Sequence, residues 1–151
     1  DNSHINYQNL AGNWSIGTDS HVSLNPFEEL RLLDYGQRLI TNQRNTFATK
    51  KSGNSGINAL SQSQIAGRKA MGNFNEDYFS VGQPLNACLI SADHPLIATS
   101  SNENLLNTII YSGDESMQDG SIANGKSARR NESDPEIRQS FVKAVKELEI
   151  R

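Results

Sequence analysis

The chain has 151 residues and a formal net charge of −3, with a pI near 5.6. That length can hold one domain with a sizeable core, but not a complete (β/α)8 barrel, which takes roughly 250 residues. The basic residues are scattered or merely paired, as at Lys50-Lys51 and Arg129-Arg130, so nothing in the charge pattern calls for nucleic acid or a membrane surface as partner.

In chain order, the first predicted element is a strand over 13–18. Alternation puts Trp14, Ile16 and Thr18 on one face and Ser15, Gly17, Asp19 and His21 on the other. A helix start follows. Asn25 can cap it, Pro26 suits its first position, and Glu28 stands three residues after the cap. Phe27, Leu30, Leu33 and Ile40 form a broken apolar stripe, and the helix is expected to run to about Arg44. Ser52 to Gly56 reads as a loop. A second helix is expected from Ile57 to Met71, stopped by Gly72-Asn73.

The character changes near Phe74. Residues 78–91 predict one or two strands, with Gly82 and Pro84 as breakers. Asn102 to Ile110 reads as a short helix or turn, Met117 to Ile122 as a strand, and Asn124-Gly125 as a hairpin turn. Ser133-Asp134-Pro135-Glu136 opens a last helix with Ile137, Phe141, Val142, Val145 and Leu148 on one face. These changes divide the chain into 1–73, 74–130 and 131–151.

Few residues are placed for chemistry. A short strand ending in an acid and a histidine, then a capped helix, is how a (β/α)8 barrel presents a catalytic group at a strand's carboxyl end. Asp19-Ser20-His21 cannot form a Ser-His-Asp relay, because adjacent strand residues point to opposite faces. Asp19 can instead ligate a divalent metal and move a proton during hydrolysis of an amidine or amide. Taken alone, it reads better as a loop acid capping a helix. The histidines fall at 4, 21 and 94. With no His-x-His or His-Glu-x-x-His spacing they make no complete metal site, and His94 in Asp93-His94-Pro95 reads as a turn residue. The single cysteine, Cys88, excludes an intrachain disulfide, which suits a reducing cytoplasm. Its apolar neighbours predict a buried strand thiol. No apolar run reaches the ~18 residues of a membrane span, and the polar amino terminus has no signal-peptide character.

Residues 14–47 narrow the reading. Trp14-Ser15-Ile16-Gly17-Thr18-Asp19-Ser20-His21, then Leu24-Asn25-Pro26-Phe27-Glu28-Glu29-Leu30-Arg31, Asp34-Tyr35-Gly36-Gln37-Arg38-Leu39 and Asn45-Thr46-Phe47 closely resemble the carboxyl-terminal barrel region of the formimidoylglutamate deiminase family of the amidohydrolase superfamily. Weaker similarity continues through Val81-Gly82-Gln83-Pro84, Asp93-His94-Pro95-Leu96, Asn104 to Tyr111 and Gly120 to Lys126.

The resemblance implies an α/β fold: the C-terminal portion of a metal-dependent TIM barrel over 1–73, part of a small β-sandwich domain over 74–130, and a C-terminal helix over 131–151. It implies a zinc-dependent hydrolase of histidine degradation that converts N-formimidoyl-L-glutamate and water to N-formyl-L-glutamate and ammonia. Asp19 matches the family's last metal ligand, which also shuttles protons. His21, on the same strand face, is expected to support the site by hydrogen bonding or substrate contact, or to tie down the following loop. The implied partner is a small-molecule substrate, and the implied parent is a cytoplasmic homodimer. The family's other metal histidines, further proton-transfer groups and main substrate contacts lie upstream of the matching region. The chain alone is therefore expected to be inactive and poorly stable unless it pairs with another chain. Two other readings stand beside this one: a degenerate, non-catalytic amidohydrolase scaffold, and another superfamily aminohydrolase acting on a different amidine or a nucleobase. Ser127-Ala128-Arg129-Arg130 is more polar than the closing strand of a sandwich should be.

Overall fold

The computed structural model describes residues 13–20, 22–49, 52–75, 77–129 and 135–149. Helices and one small antiparallel sheet make a mixed α/β composition, divided into two compact units. One comprises Asp1–Asp77 with Ala92–Met117, the other Tyr78–Ser91 with Gln118–Arg151.

The first unit is built on two 16-residue helices, α1 (Pro26–Thr41) and α2 (Ser55–Ala70). The α1 start is the one its sequence predicts. Asn25 Oδ1 accepts from Phe27 N at 3.0 Å, Pro26 opens the helix, and Glu28 and Glu29 lie in the first turn, against the positive end of the dipole. Asn42 in the left-handed region, at φ 53°, ends it three residues earlier than expected. For α2, Asn54 is the cap, accepting from Ile57 N at 2.9 Å. Ser55 and Gly56, read as loop from their composition, are therefore its first turn. The Gly56 N–H donates to Asn107 Oδ1 at 2.8 Å, and a Cβ on Gly56 would lie 2.6 Å from that oxygen.

The inner face of α1 is Leu30, Asp34 and Gln37, all buried, with Phe27 and Leu33 beside the core. Ile40, assigned to the inner stripe from sequence, is exposed. The 3.6-residue period carries the face from Leu30 to 34 and 37, and so places polar residues inside. Leu30, Phe47, Ala59 and Ile110 form the core, with Trp14, Ile16, Leu60 and Tyr111 packed against it. Ile110 and Tyr111 come from a π-helical turn, Thr108–Ser112, that continues the short helix α4 (Leu105–Asn107). A four-residue helix, α3 (Pro95–Ala98), precedes it.

Residues 13–18, expected as a strand, have no ladder partner among the described residues. A strand needs a neighbour to complete its hydrogen bonds. The predicted alternation is nevertheless present in the packing. Trp14, Ile16 and Thr18 are partly buried, while Asn13, Ser15, Gly17 and Asp19 are exposed.

The second unit holds a three-stranded antiparallel sheet, β1 (Ala87–Ile90), β2 (Gln118–Ala123) and β3 (Lys126–Arg129), in the order β1-β2-β3. Only residues 87–90 of the expected 78–91 region pair. Asn124 at φ 50° and Gly125 at φ 78° make the hairpin turn that the Asn-Gly pair signals. The polar Lys126–Arg129 run does form a strand, exposed along its whole length, as suits a sheet edge. Arg129 Nη1 pairs with Asp119 Oδ2 across β2 and β3 at 2.6 Å. Cys88 is exposed on β1 rather than buried, because among the described residues no element packs closely over the sheet. Helix α5 (Pro135–Glu149) carries its apolar stripe as predicted, and Ile137, Phe141 and Leu148 are exposed.

Gly120 sets the β2–β3 contact. At φ 152° it occupies backbone space closed to other residues. A Cβ there would overlap the Ala128 carbonyl oxygen and lie 2.9 Å from Arg129 Cα. Gly120→Ala is expected to unpair β2 from β3. Amide exchange across 118–129 should rise to the unprotected rate while Trp14 emission, which reports the other unit, stays unchanged. Retained protection in the hairpin would show that the strands can shift to accept the methyl.

Candidate functional site

The segment carrying the predicted site is seated by its inward face. The Trp14 ring lies 5.5 Å from that of Phe47, and Trp14 Nε1 donates to Gln62 Oε1 on α2 at 3.1 Å. Ser15 lies near α2, where a Cβ on Gly67 would sit 3.5 Å from its own Cβ. With Trp14 and Ile16 held, the segment ends at Asp19 in a turn with Ser20. Asp19 is exposed and left-handed, at φ 40°, a conformation that aspartate tolerates better than most residues. Its carboxylate is thus presented outward at the end of a packed segment. His21 and His4 lie outside the described residues, so the expected pairing of His21 with Asp19 has no geometry here.

Beyond the turn, Ser23 Oγ donates to Glu28 Oε2, and Asn25 is buried where it caps α1. Asn25, Glu28 and Arg31 form one wall of an open cleft of about 450 Å³, with Asp114, Glu115 and Ser116 opposite. Arg31 Nη1 donates to the Gly113 carbonyl at 3.1 Å.

His94 is a turn residue, as its sequence suggests. It caps α3, with Nδ1 accepting from Leu96 N at 3.3 Å, and its Nε2 is 3.3 Å from Ser116 Oγ. Ser116 Oγ in turn donates to Asp114 Oδ1 at 2.5 Å. This trio is not a catalytic relay. A triad needs the carboxylate on the far nitrogen of the imidazole, and here that nitrogen is engaged by backbone while the carboxylate binds the serine. Partial shielding of the Cys88 sulfur pushes its thiol up from its ordinary value, which opposes a nucleophilic thiolate.

The sequence reading passed over one cluster. Asp34 is fully buried. It accepts from Thr46 Oγ1 through one oxygen and pairs with Arg38 Nη2 at 2.5 Å through the other. Burial works against the Arg38 charge, but Asp34 outweighs it and holds the guanidinium above its ordinary value. The Arg38 guanidinium carbon lies 5.3 Å from the ring centres of both Tyr35 and Tyr111, and those rings stack 6.3 Å apart. Burial, and then the Asp34 charge, push the Tyr111 phenol well above its ordinary value, with Arg38 opposing. The available signal was the i, i+4 spacing of Asp34 and Arg38, an ordinary helix pair. Nothing local reveals that Asp34 lies on the buried face.

Among the described residues, no three His, Cys, Asp or Glu side chains are grouped closely enough to hold a metal ion. Among them too, no helix is long and apolar enough to cross a membrane. Among the described residues, Asp19 is therefore not part of a group of three such ligands.

No family model matches the chain. It is 30% identical over 141 residues to the formimidoylglutamate deiminase of Pseudomonas aeruginosa, an alignment that covers 91% of this chain and 31% of that protein. The chain thus spans about a third of the length of the curated relative to which it is similar.

Proposed function

We propose that this chain is the carboxyl-terminal part of a zinc-dependent hydrolase that deiminates N-formimidoyl-L-glutamate, derived from a (β/α)8 barrel, and that Asp19 is its contribution to the metal site. The observation that carries this reading is Asp19 itself. It is an exposed carboxylate at the end of a segment with alternating burial, in the stretch leading to a helix capped by Asn25, in a chain similar along most of its length to a deiminase. That is the position from which barrel enzymes work.

A carboxylate oxygen is a normal zinc ligand, so Asp19 fits a metal site as one donor among several, the others coming from outside this chain. Zinc, when bound, supplies a Lewis acid that activates water and polarises the amidine carbon. The Asp19 carboxylate takes a proton from the attacking water and returns it to the departing nitrogen, which leaves as ammonia. His21 supports that carboxylate or contacts the substrate.

The test is ammonia release from N-formimidoyl-L-glutamate, with zinc content measured alongside, on the product of the complete reading frame that contains these residues. Release with bound zinc is the expected result. A protein that binds no metal and releases no ammonia would establish the non-catalytic scaffold instead. Release only from another amidine or a nucleobase would move the reading to a different aminohydrolase of the superfamily.

A further inference from the structure

One segment, Thr108–Met117, seats Ile110 in the core beside Leu30 and is tied to α1 by two unlike polar fastenings. Near the head of the helix, Arg31 Nη1 donates to the Gly113 carbonyl. Two turns along, Tyr111 stacks with Tyr35 while the Arg38 guanidinium lies against both rings, and Arg38 is fixed in turn by Asp34. Tyr111 lies in a π-helical turn, Thr108–Ser112, a rare and under-wound geometry that ends just before Gly113. Gly113 fits so closely that a Cβ would overlap the Ile109 carbonyl oxygen and lie 2.9 Å from Met117 Sδ.

The second fastening is incompletely bonded. The Tyr111 hydroxyl and Arg38 Nε are buried with no hydrogen-bond partner among the described residues. The hydroxyl is close enough to the Asp34 carboxylate and the Arg38 guanidinium to interact with both, but it has a bond of good geometry to neither. A buried polar atom without a partner is destabilised relative to water, so releasing Tyr111 rehydrates both groups. Asp34 also accepts from Thr46, which lies outside the strap, so that bond does not depend on Tyr111.

We propose that Thr108–Met117 is a strap that opens locally, without unfolding of the two long helices, and that the Asp34–Arg38–Tyr111 assembly is its latch. The strap supplies the Asp114–Ser116 wall of the cleft at the head of α1, so its opening widens that cleft.

The test is amide hydrogen exchange of the intact chain against its Arg38→Lys variant. Lysine keeps the positive charge but loses the planar fork and the ring stacking. Strap amides, 109–117, should exchange about tenfold faster in the variant, with α2 amides changed by less than about twofold. Leu60→Ala, which loosens the core cluster that α2 and the strap's Ile110 share, should accelerate α2 and the strap alike. Equal acceleration of strap and α2 by Arg38→Lys would overturn the latch, as would no acceleration of the strap. The wild type gives a second reading that needs no variant. Strap exchange should be nearly independent of urea at low concentration while α2 exchange follows global unfolding; parallel urea dependence would overturn the proposal.

Discussion

Asp19→Asn, made in the product of the complete reading frame, is expected to lower ammonia release by about 10²–10⁴-fold, the usual contribution of a positioned proton-transfer group. Zinc content should fall with it, since an amide is a poorer donor than a carboxylate. The substitution isolates the charge. Asparagine has the same shape and, like aspartate, tolerates the left-handed conformation found at residue 19. A leucine there would strain the turn and confound loss of chemistry with loss of structure. With metal stripped by chelator, the folded state should therefore be unchanged, with the same unfolding midpoint as the metal-free wild type. Full activity in Asp19→Asn would remove this residue from the reaction, and a shifted midpoint would reassign it to the turn.

The second large effect is on stability. Phe47→Ala is expected to cost about 3–5 kcal/mol, the usual loss for a buried phenylalanine. Phe47 is fully buried, lies in the cluster with Leu30, Ala59 and Ile110, and carries the ring against which Trp14 packs. That loss is a large share of the ~5–15 kcal/mol by which a domain is ordinarily stable. Urea unfolding followed by Trp14 fluorescence measures it directly, because the reporter touches the deleted ring. The variant's native emission should also shift to the red as the indole loses its seat. A cost below about 1 kcal/mol would mean that Trp14 and the Asp19 segment are held by something other than this core.

Legibility in the sequence followed locality. The start of α1 could be read because Asn25, Pro26 and Glu28 act within one turn, and the β2–β3 hairpin because Asn-Gly meets its own conformational demand. The core face of α1 was misjudged at its far end. Hydrophobicity chose Ile40, while helix geometry chose Asp34 and Gln37, and the partners that make Asp34 tolerable are Thr46, twelve residues on, and Arg38. Ser55 and Gly56 looked like loop from their composition, although the cap that starts their helix, Asn54, is local; the Gly56 bond to Asn107, fifty-one residues away, has no local signal. Cys88 looked buried because its neighbours are apolar, but burial needs a second layer over the strand. For the candidate site, the sequence isolated Asp19 and its outward face. The strap fastened by Tyr111 was invisible, because tyrosine and arginine at that separation carry no joint signal.

The order in which the two units take their residues has a consequence for synthesis. The chain crosses between them after Asp77, Ser91 and Met117, so neither can be completed as the amino-terminal part leaves the ribosome. Phe47 must wait for Ile110, a delay of roughly 3–13 s at the usual 5–20 residues per second of translation. During that interval the core faces of α1 and α2 lack the cover that Ile110 gives them. No single cut of the gene yields either unit whole. Expression at lower temperature slows synthesis further and lengthens this vulnerable interval, whereas a holding chaperone that shields apolar helix faces would protect the chain through it.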